Sequence, residues 1–129
     1  MAIQAGERIP GVTINLVKDG VQAVDSAALF KDRKCVLFAV PGAFTPTCSA
    51  KHLPGYIEHA DAFAAKGYAV FCMSVNDAFV MSAWAKSQNA PDSISMLADG
   101  NGDFSKALGL QLDASAFGMG LRAKRFALV

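Results

Sequence analysis

Two stretches of this 129-residue chain constrain its fold more than any others: CVLFAV at 35–40 and YAVFCMSV at 68–75. Both are almost wholly apolar and rich in strand formers, and neither alternates in a way that leaves one face for water. A strand apolar on both faces belongs at the centre of a sheet covered on both sides. Two of them, separated by a helix-length segment, suit a parallel pair joined by a right-handed crossover. The flanking segments fit this frame. VTINLV at 12–17 reads as a first strand, closed by a turn at Lys18-Asp19-Gly20, and Ser26 is a candidate cap for a short turn carrying Leu29 and Phe30. Pro41-Gly42 ends the first apolar strand. A helix is then expected from about Thr47 to Lys66, bent at Pro54 and stopped by Gly67. Asn76 or Asp77 caps a helix running to about Gln88, with Val80, Ala83 and Trp84 as buried positions. Residues 94–97 form a short strand, 99–103 a turn, and 104–108 a short helix stopped by Gly109. Residues 111–124 have no clean period and read as a structured loop. RFALV at 125–129 reads as the opening of another strand, so a hairpin partner and a covering helix are expected beyond Val129. The order says α/β, as one domain over residues 1–129 that is truncated at its C-terminal side.

Composition narrows the function classes. A mass of 13.5 kDa allows about two-thirds of the extended-chain surface to be buried, which is one core rather than two. With 53% apolar and 18% charged residues, disorder is excluded as a description of the chain. A formal charge of +1 offers no general electrostatic footprint for nucleic acid. No run approaches membrane-spanning length, and MAIQAGERIPG lacks the basic and apolar regions of a secretion signal. A cytoplasmic protein with neither membrane nor nucleic-acid partners is therefore expected. Three cysteines are too few, and odd in number, for a disulfide framework.

Motifs for metals and nucleotides are weak or missing. Cys48, His52 and His59 share a helical face, but the two histidines are seven residues apart and cannot both reach one ion. No metal and no cofactor is expected. Phosphate-loop and dinucleotide glycine patterns are missing, and Glu58 and Asp61 read as solvated helix residues. The cysteines say more. Cys35 and Cys72 sit inside apolar strands, the setting of an inert buried thiol. Cys48 instead follows a buried strand and a Pro-Gly loop, in the first turn of an expected helix. Free N–H groups and the positive end of the helix dipole stabilise a thiolate there. Thr45 and Thr47 are local hydroxyl donors, and Arg122 or Arg125 can return from the late loop as the cation. Attack of such a thiolate on a peroxide yields a sulfenic acid.

The segment PGAFTPTCSAKHLPG at 41–55 closely resembles the active-site segment of the atypical, type II peroxiredoxins, the peroxiredoxin-5-like branch. CMSVNDAFVMSAW at 72–84 and the LRAKRFALV ending match that family's pattern as well. The resemblance implies a thioredoxin-like fold, with a central mixed sheet and helices on both faces. It implies thiol-dependent reduction of hydrogen peroxide and organic hydroperoxides, and a homodimer. Carried over by position, Cys48 is the peroxidatic cysteine and Thr45 binds the peroxide through its hydroxyl. Pro41 shields the thiolate, and Arg122 pairs with it and steers the peroxide. His52 is a structural partner near the helix start. Cys72 matches the resolving cysteine of one branch, whereas other members rely on glutathione with glutaredoxin; thioredoxin is a further reductant. Phe44, Phe79 and Phe117 are expected either at a two-fold interface beside Cys48 or packed locally beneath Trp84 and Leu112. The competing functions are a thiol–disulfide oxidoreductase, for which TPTC at 45–48 lacks the paired cysteine, and a non-catalytic interaction module.

Overall fold

The two doubly apolar segments lie side by side as parallel strands at the middle of a six-stranded sheet. The computed structural model describes residues 2–17, 20–31, 33–45, 53–91 and 93–129. In chain order the elements are β1 (Thr13–Val17), β2 (Val21–Asp25), α1 (Ser26–Phe30), β3 (Cys35–Val40), α2 (Leu53–Glu58), α3 (Ala60–Ala65) and β4 (Ala69–Ser74). There follow α4 (Ala78–Ser87), β5 (Ile94–Ala98), α5 (Asp103–Leu108), β6 (Gln111–Asp113), β7 (Leu121–Ala123) and β8 (Phe126–Leu128). The sheet order is β2-β1-β5-β4-β3-β8, with β6 and β7 forming a separate hairpin. β3, β4 and β5 run parallel, while β1, β2 and β8 pair antiparallel, so the sheet is mixed.

Successive residues of β3 and β4 point to opposite faces and build two cores. Phe38, Val40, Val70 and Cys72 face α2, α3 and α4, whose Leu53, Ala60, Met81 and Trp84 are buried against them. Leu37, Ala39, Phe71 and Met73 face the other way, toward Phe104 and Leu108 of α5 and Leu29 and Phe30 of α1. Helices therefore cover both faces, as the α/β thioredoxin-like reading requires.

Several local expectations are corrected. Residues 21–25, unassigned in the sequence, form β2, which pairs with β1 from Val17↔Val21 to Thr13↔Asp25. The cap of α1 is Asp25, whose carboxylate accepts the Ala28 N–H at 3.3 Å. Ser26 is instead fully buried, donating to Pro10 O and accepting from Val12 N–H, so it ties the chain before β1 to α1. The long helix breaks at His59, where φ is −103° and ψ is 11°; the turn before Pro54, where the expected bend would lie, is outside the described residues. The break turns Ala60 and Phe63 onto the sheet face that also receives Leu53. Asp77, not Asn76, caps α4 by accepting the Val80 N–H at 2.8 Å. On α4 the buried residues are Ala78, Met81 and Trp84; Val80 is only half-buried and Ala83 is exposed. Finally, 111–124 is no simple loop: it contains β6, a 3₁₀ turn at Ser115–Phe117 and β7. Its register is Leu112↔Arg122, which gives Arg122 a fixed place.

Candidate active site

Parallel strands leave their loops at the carboxyl edge of the sheet, and in open α/β folds that edge is where ligands bind. Val40 and Ser74 end β3 and β4 in register, so the segments following them begin side by side. After β3, half-buried Pro41 leads into a tight turn over 42–45. Both the N–H and the hydroxyl of Thr45 donate to Gly42 O, at 3.4 and 2.6 Å. Phe44 sits within this turn at φ +63°, in the left-handed region. A branched-out aromatic there costs about 1–2 kcal/mol relative to the right-handed well, and such strain persists only where surrounding bonds fix the backbone.

One of those bonds comes from the end of β4. The Asn76 side-chain carbonyl accepts the Ala43 N–H at 3.0 Å and the hydroxyl proton of fully buried Ser74. This bond spans 33 positions in the chain. From its neighbours in sequence Asn76 is only a candidate helix cap; nothing local signals a partner so distant.

Arg122 arrives from the β6–β7 hairpin. Ala123 is fully buried in the α5-side core, and Leu121 rests where a Cβ on Gly102 would stand, 2.5 Å from its Cδ2. Gly102 also has φ +77°, so glycine is favoured there by conformation, and any Cβ would have to push the Leu121 side chain aside. With its neighbours seated in this way, Arg122 points to the opposite side of β7. Its Nε donates to Met119 O at 2.9 Å and its Nη1 to Val75 O at 3.2 Å. Among the described residues it has no carboxylate partner. Two backbone carbonyls thus orient the guanidinium without neutralising its charge, and among the described residues three of its five N–H donors are uncommitted.

Gly42 shows how closely these groups converge. A Cβ there would lie 3.0 Å from Thr45 Cγ2, 3.2 Å from Arg122 Nη1 and 3.5 Å from Met119 Cε. Thr45 and Arg122, 77 residues apart in number, are thus brought to the same point, with Pro41 immediately before it. Arg125, the alternative cation, lies exposed between β7 and β8. Thr47, Cys48 and His52 lie outside the described residues.

The other two cysteines differ. Cys72 is wholly buried at the centre of the sheet, paired in register with Phe38 and Met96. Tyr56 of α2 stacks on Phe38 with ring centroids 3.8 Å apart. Burial raises the Tyr56 phenol above its ordinary pKa, and the Cys72 thiol beside it acts in the same direction. Cys35 is only half-buried, at the start of β3 and so at the opposite end of the sheet from Pro41. Burial pushes its thiol pKa up, partly offset by Arg33.

Three large apolar rings lie close in the chain to residues that make the site's contacts. Phe44, Phe79 and Phe117 are 54%, 81% and 82% exposed. These values exclude the expectation that they pack locally beneath Trp84 and Leu112. Each lies within three residues of a site contact: Phe44 beside Ala43, Phe79 after Asn76, and Phe117 before Met119. Among the described residues, no three His, Cys, Asp or Glu side chains converge as a metal site would require, and no helix is long and apolar enough to cross a membrane.

Known proteins share this arrangement of sequence and fold. A family model described as Redoxin matches residues 4–129. The chain is 48% identical over 134 residues to Peroxiredoxin-2E-2, chloroplastic, of Oryza sativa subsp. japonica, covering 98% of this chain and 60% of that protein. It is 44% identical over 130 residues to Peroxiredoxin-2B of Arabidopsis thaliana, covering 98% of this chain and 80% of that one. The crystal structure of reduced Prx3 in complex with hydrogen peroxide, from Vibrio vulnificus, is similar with a TM-score of 0.92 and 51% identity, covering 98% and 80% of the two chains. The chain spans less than two thirds of the length of the chloroplastic relatives.

Proposed function

This chain belongs to the Redoxin family, among the peroxiredoxins, and from that membership we propose that it is a thiol-dependent peroxidase whose attacking sulfur is that of Cys48. The observation that carries the reading is the convergence of Thr45 and Arg122 at Gly42, three residues from Thr45 to Cys48 along the chain. Thr45 already gives its hydroxyl proton to Gly42 O, so its oxygen is left to accept a hydrogen bond from a peroxide O–H. The uncommitted N–H donors of Arg122 hold the peroxide oxygens and favour the Cys48 thiolate. The sulfur attacks one peroxide oxygen as the O–O bond breaks. Sulfur loses two electrons and becomes a sulfenic acid, while the departing oxygen takes a proton and leaves as water or an alcohol. Charge gathers on that leaving oxygen, where a fixed guanidinium lowers the barrier most. Pro41 closes one side of the site.

Return to the thiol requires two further reducing equivalents. A first thiol condenses with the sulfenic acid, releasing water and forming a disulfide; a second thiol reduces that disulfide. The burial of Cys72 beneath Tyr56 and α2 supports an external first thiol, glutathione with glutaredoxin or thioredoxin, over Cys72 itself. Such chemistry suits a reducing compartment such as the cytoplasm. The exposed rings of Phe44, Phe79 and Phe117 support a homodimer with this aromatic rim at its two-fold axis, because a self-complementary contact uses every apolar side chain twice.

The test is direct. Cys48→Ser should abolish consumption of hydrogen peroxide in the presence of excess dithiol, whereas Cys35→Ser should retain most of it. Intact mass after one equivalent of peroxide should show a single added oxygen on the wild type when no other thiol is present. Wild-type rates in Cys48→Ser would overturn the assignment.

A further inference from the structure

We propose that Asn76 is a positioning residue for peroxide reduction, setting the turn that carries Thr45 against the guanidinium of Arg122; this rests on the peroxidase reading above. Three consecutive residues at the end of β4 reach both sides of the site. Val75 offers its backbone carbonyl to Arg122 Nη1 at 3.2 Å. Asn76, the next residue, offers its side-chain carbonyl to the Ala43 N–H at 3.0 Å. Ser74, the residue before, is fully buried and donates to that same oxygen, which fixes the rotamer of Asn76. One short stretch of backbone therefore sets the spacing between the hydroxyl and the cation.

The Thr45 hydroxyl bond to Gly42 O, at 2.6 Å, holds the Thr45 side chain within the turn, but it gives the Ala43 N–H no acceptor. Phe44 occupies the left-handed region without being a glycine, and the N–H of Thr45 reaches Gly42 O only at 3.4 Å. Ala43, between them, is buried. Without the Asn76 oxygen its N–H would have no acceptor away from water, and the turn would gain by flipping to relieve both defects. Asn76 is given no contact with the peroxide in this scheme. It acts through the position of Thr45.

Two measurements on Asn76→Ala and Asn76→Asp separate this role from a structural one. Asp keeps the acceptor oxygen; Ala removes it. In Asn76→Ala the Ala43 amide should exchange with solvent about tenfold faster or more, and the second-order rate with hydrogen peroxide should fall about tenfold to a hundredfold, the scale for misplacing a reacting group by up to an ångström. Alkylation of Cys48 by iodoacetamide, which needs a thiolate but no held peroxide, should stay within about twofold, because no step of it uses Thr45. Asn76→Asp should restore slow exchange at Ala43 and most of the peroxide rate. Should Asn76→Ala not fold, Asn76→Ser, whose hydroxyl is too short to reach Ala43, replaces it with the same expectations. The proposal is overturned by unchanged Ala43 exchange, by an unchanged peroxide rate, by an equal loss in alkylation, or by failure of Asp to restore the rate. A wild type that consumes no peroxide, with the exchange pattern as expected, would instead bring down the peroxidase reading.

Discussion

Replacing Gly42 by alanine tests the site geometry with one methyl group. Gly42 is not in the left-handed region, so its backbone accepts alanine without conformational strain. The added Cβ would lie 3.0 Å from Thr45 Cγ2, where carbon atoms settle at about 3.5–4.0 Å. Thr45 must therefore give by a few tenths of an ångström, and Arg122 Nη1, at 3.2 Å, by somewhat less. The first shift stretches the 2.6 Å hydroxyl bond to Gly42 O, worth about 0.5–1.5 kcal/mol. Alanine also restricts the unfolded chain, which returns about 0.4–1 kcal/mol. Net stability should change by no more than about 1 kcal/mol, a few degrees in Tm for a chain of this size. Catalysis is more exacting: displacement on this scale predicts about a threefold to tenfold slower reaction with peroxide, or about 0.7–1.4 kcal/mol of activation free energy. Stopped-flow rates paired with a thermal melt measure both quantities on one sample. A Gly42→Ala protein that melts normally and reacts within about twofold of wild type would show that Thr45 and Arg122 need not be held at this spacing.

Arg122→Met should slow the peroxide reaction by about a hundredfold with little loss of Tm, since its two bonds are to backbone carbonyls; an unchanged rate at saturating pH would show it to be a bystander. Gly102→Ala acts at a distance, because it must displace Leu121 and adopt φ +77°; a drop in stability of about 1–3 kcal/mol with a slower peroxide rate is expected, and an unaltered melt would contradict the packing described. Phe79→Asp puts two charges beside the proposed two-fold axis, so sedimentation equilibrium at micromolar protein should show a shift toward monomer, whereas an intact mutant dimer places Phe79 outside the interface. The pKa of Cys35 is raised by burial, so folding favours its neutral form: stability should be level below the ordinary thiol range and fall as pH rises from there through the folded value. Cys35→Ser should flatten that slope, as chemical denaturation between pH 7 and 10 would reveal, and an identical slope in the variant would remove Cys35 as its source.

Local chemistry made much of this molecule legible in the sequence. The residues of β3 and β4 are apolar on both faces, so their burial at the sheet centre followed from composition alone. Pro41-Gly42 marked the end of β3, Asp77 stood among the candidate caps, and Gly109 marked the end of α5. The position of Cys48 after a buried strand and the resemblance of 41–55 pointed to Thr45 and Pro41, and the family resemblance of the LRAKRFALV ending pointed to Arg122. What escaped was non-local. β2 is an exposed edge strand, and β6 and β7 have three residues each, too few to show a period. Both exist because a partner strand supplies their hydrogen bonds. The residues alone left Arg122 and Arg125 equivalent; the Leu112↔Arg122 register, with Leu121 seated over Gly102, places the first at Gly42, whereas the second is exposed between β7 and β8. Asn76 carries no mark of its role, because its partner is an amide 33 residues away, brought within 3.0 Å only when β3 and β4 pair. Periodicity and capping are written in neighbouring residues, whereas the spacing of the hydroxyl and the guanidinium is a property of which strands lie side by side.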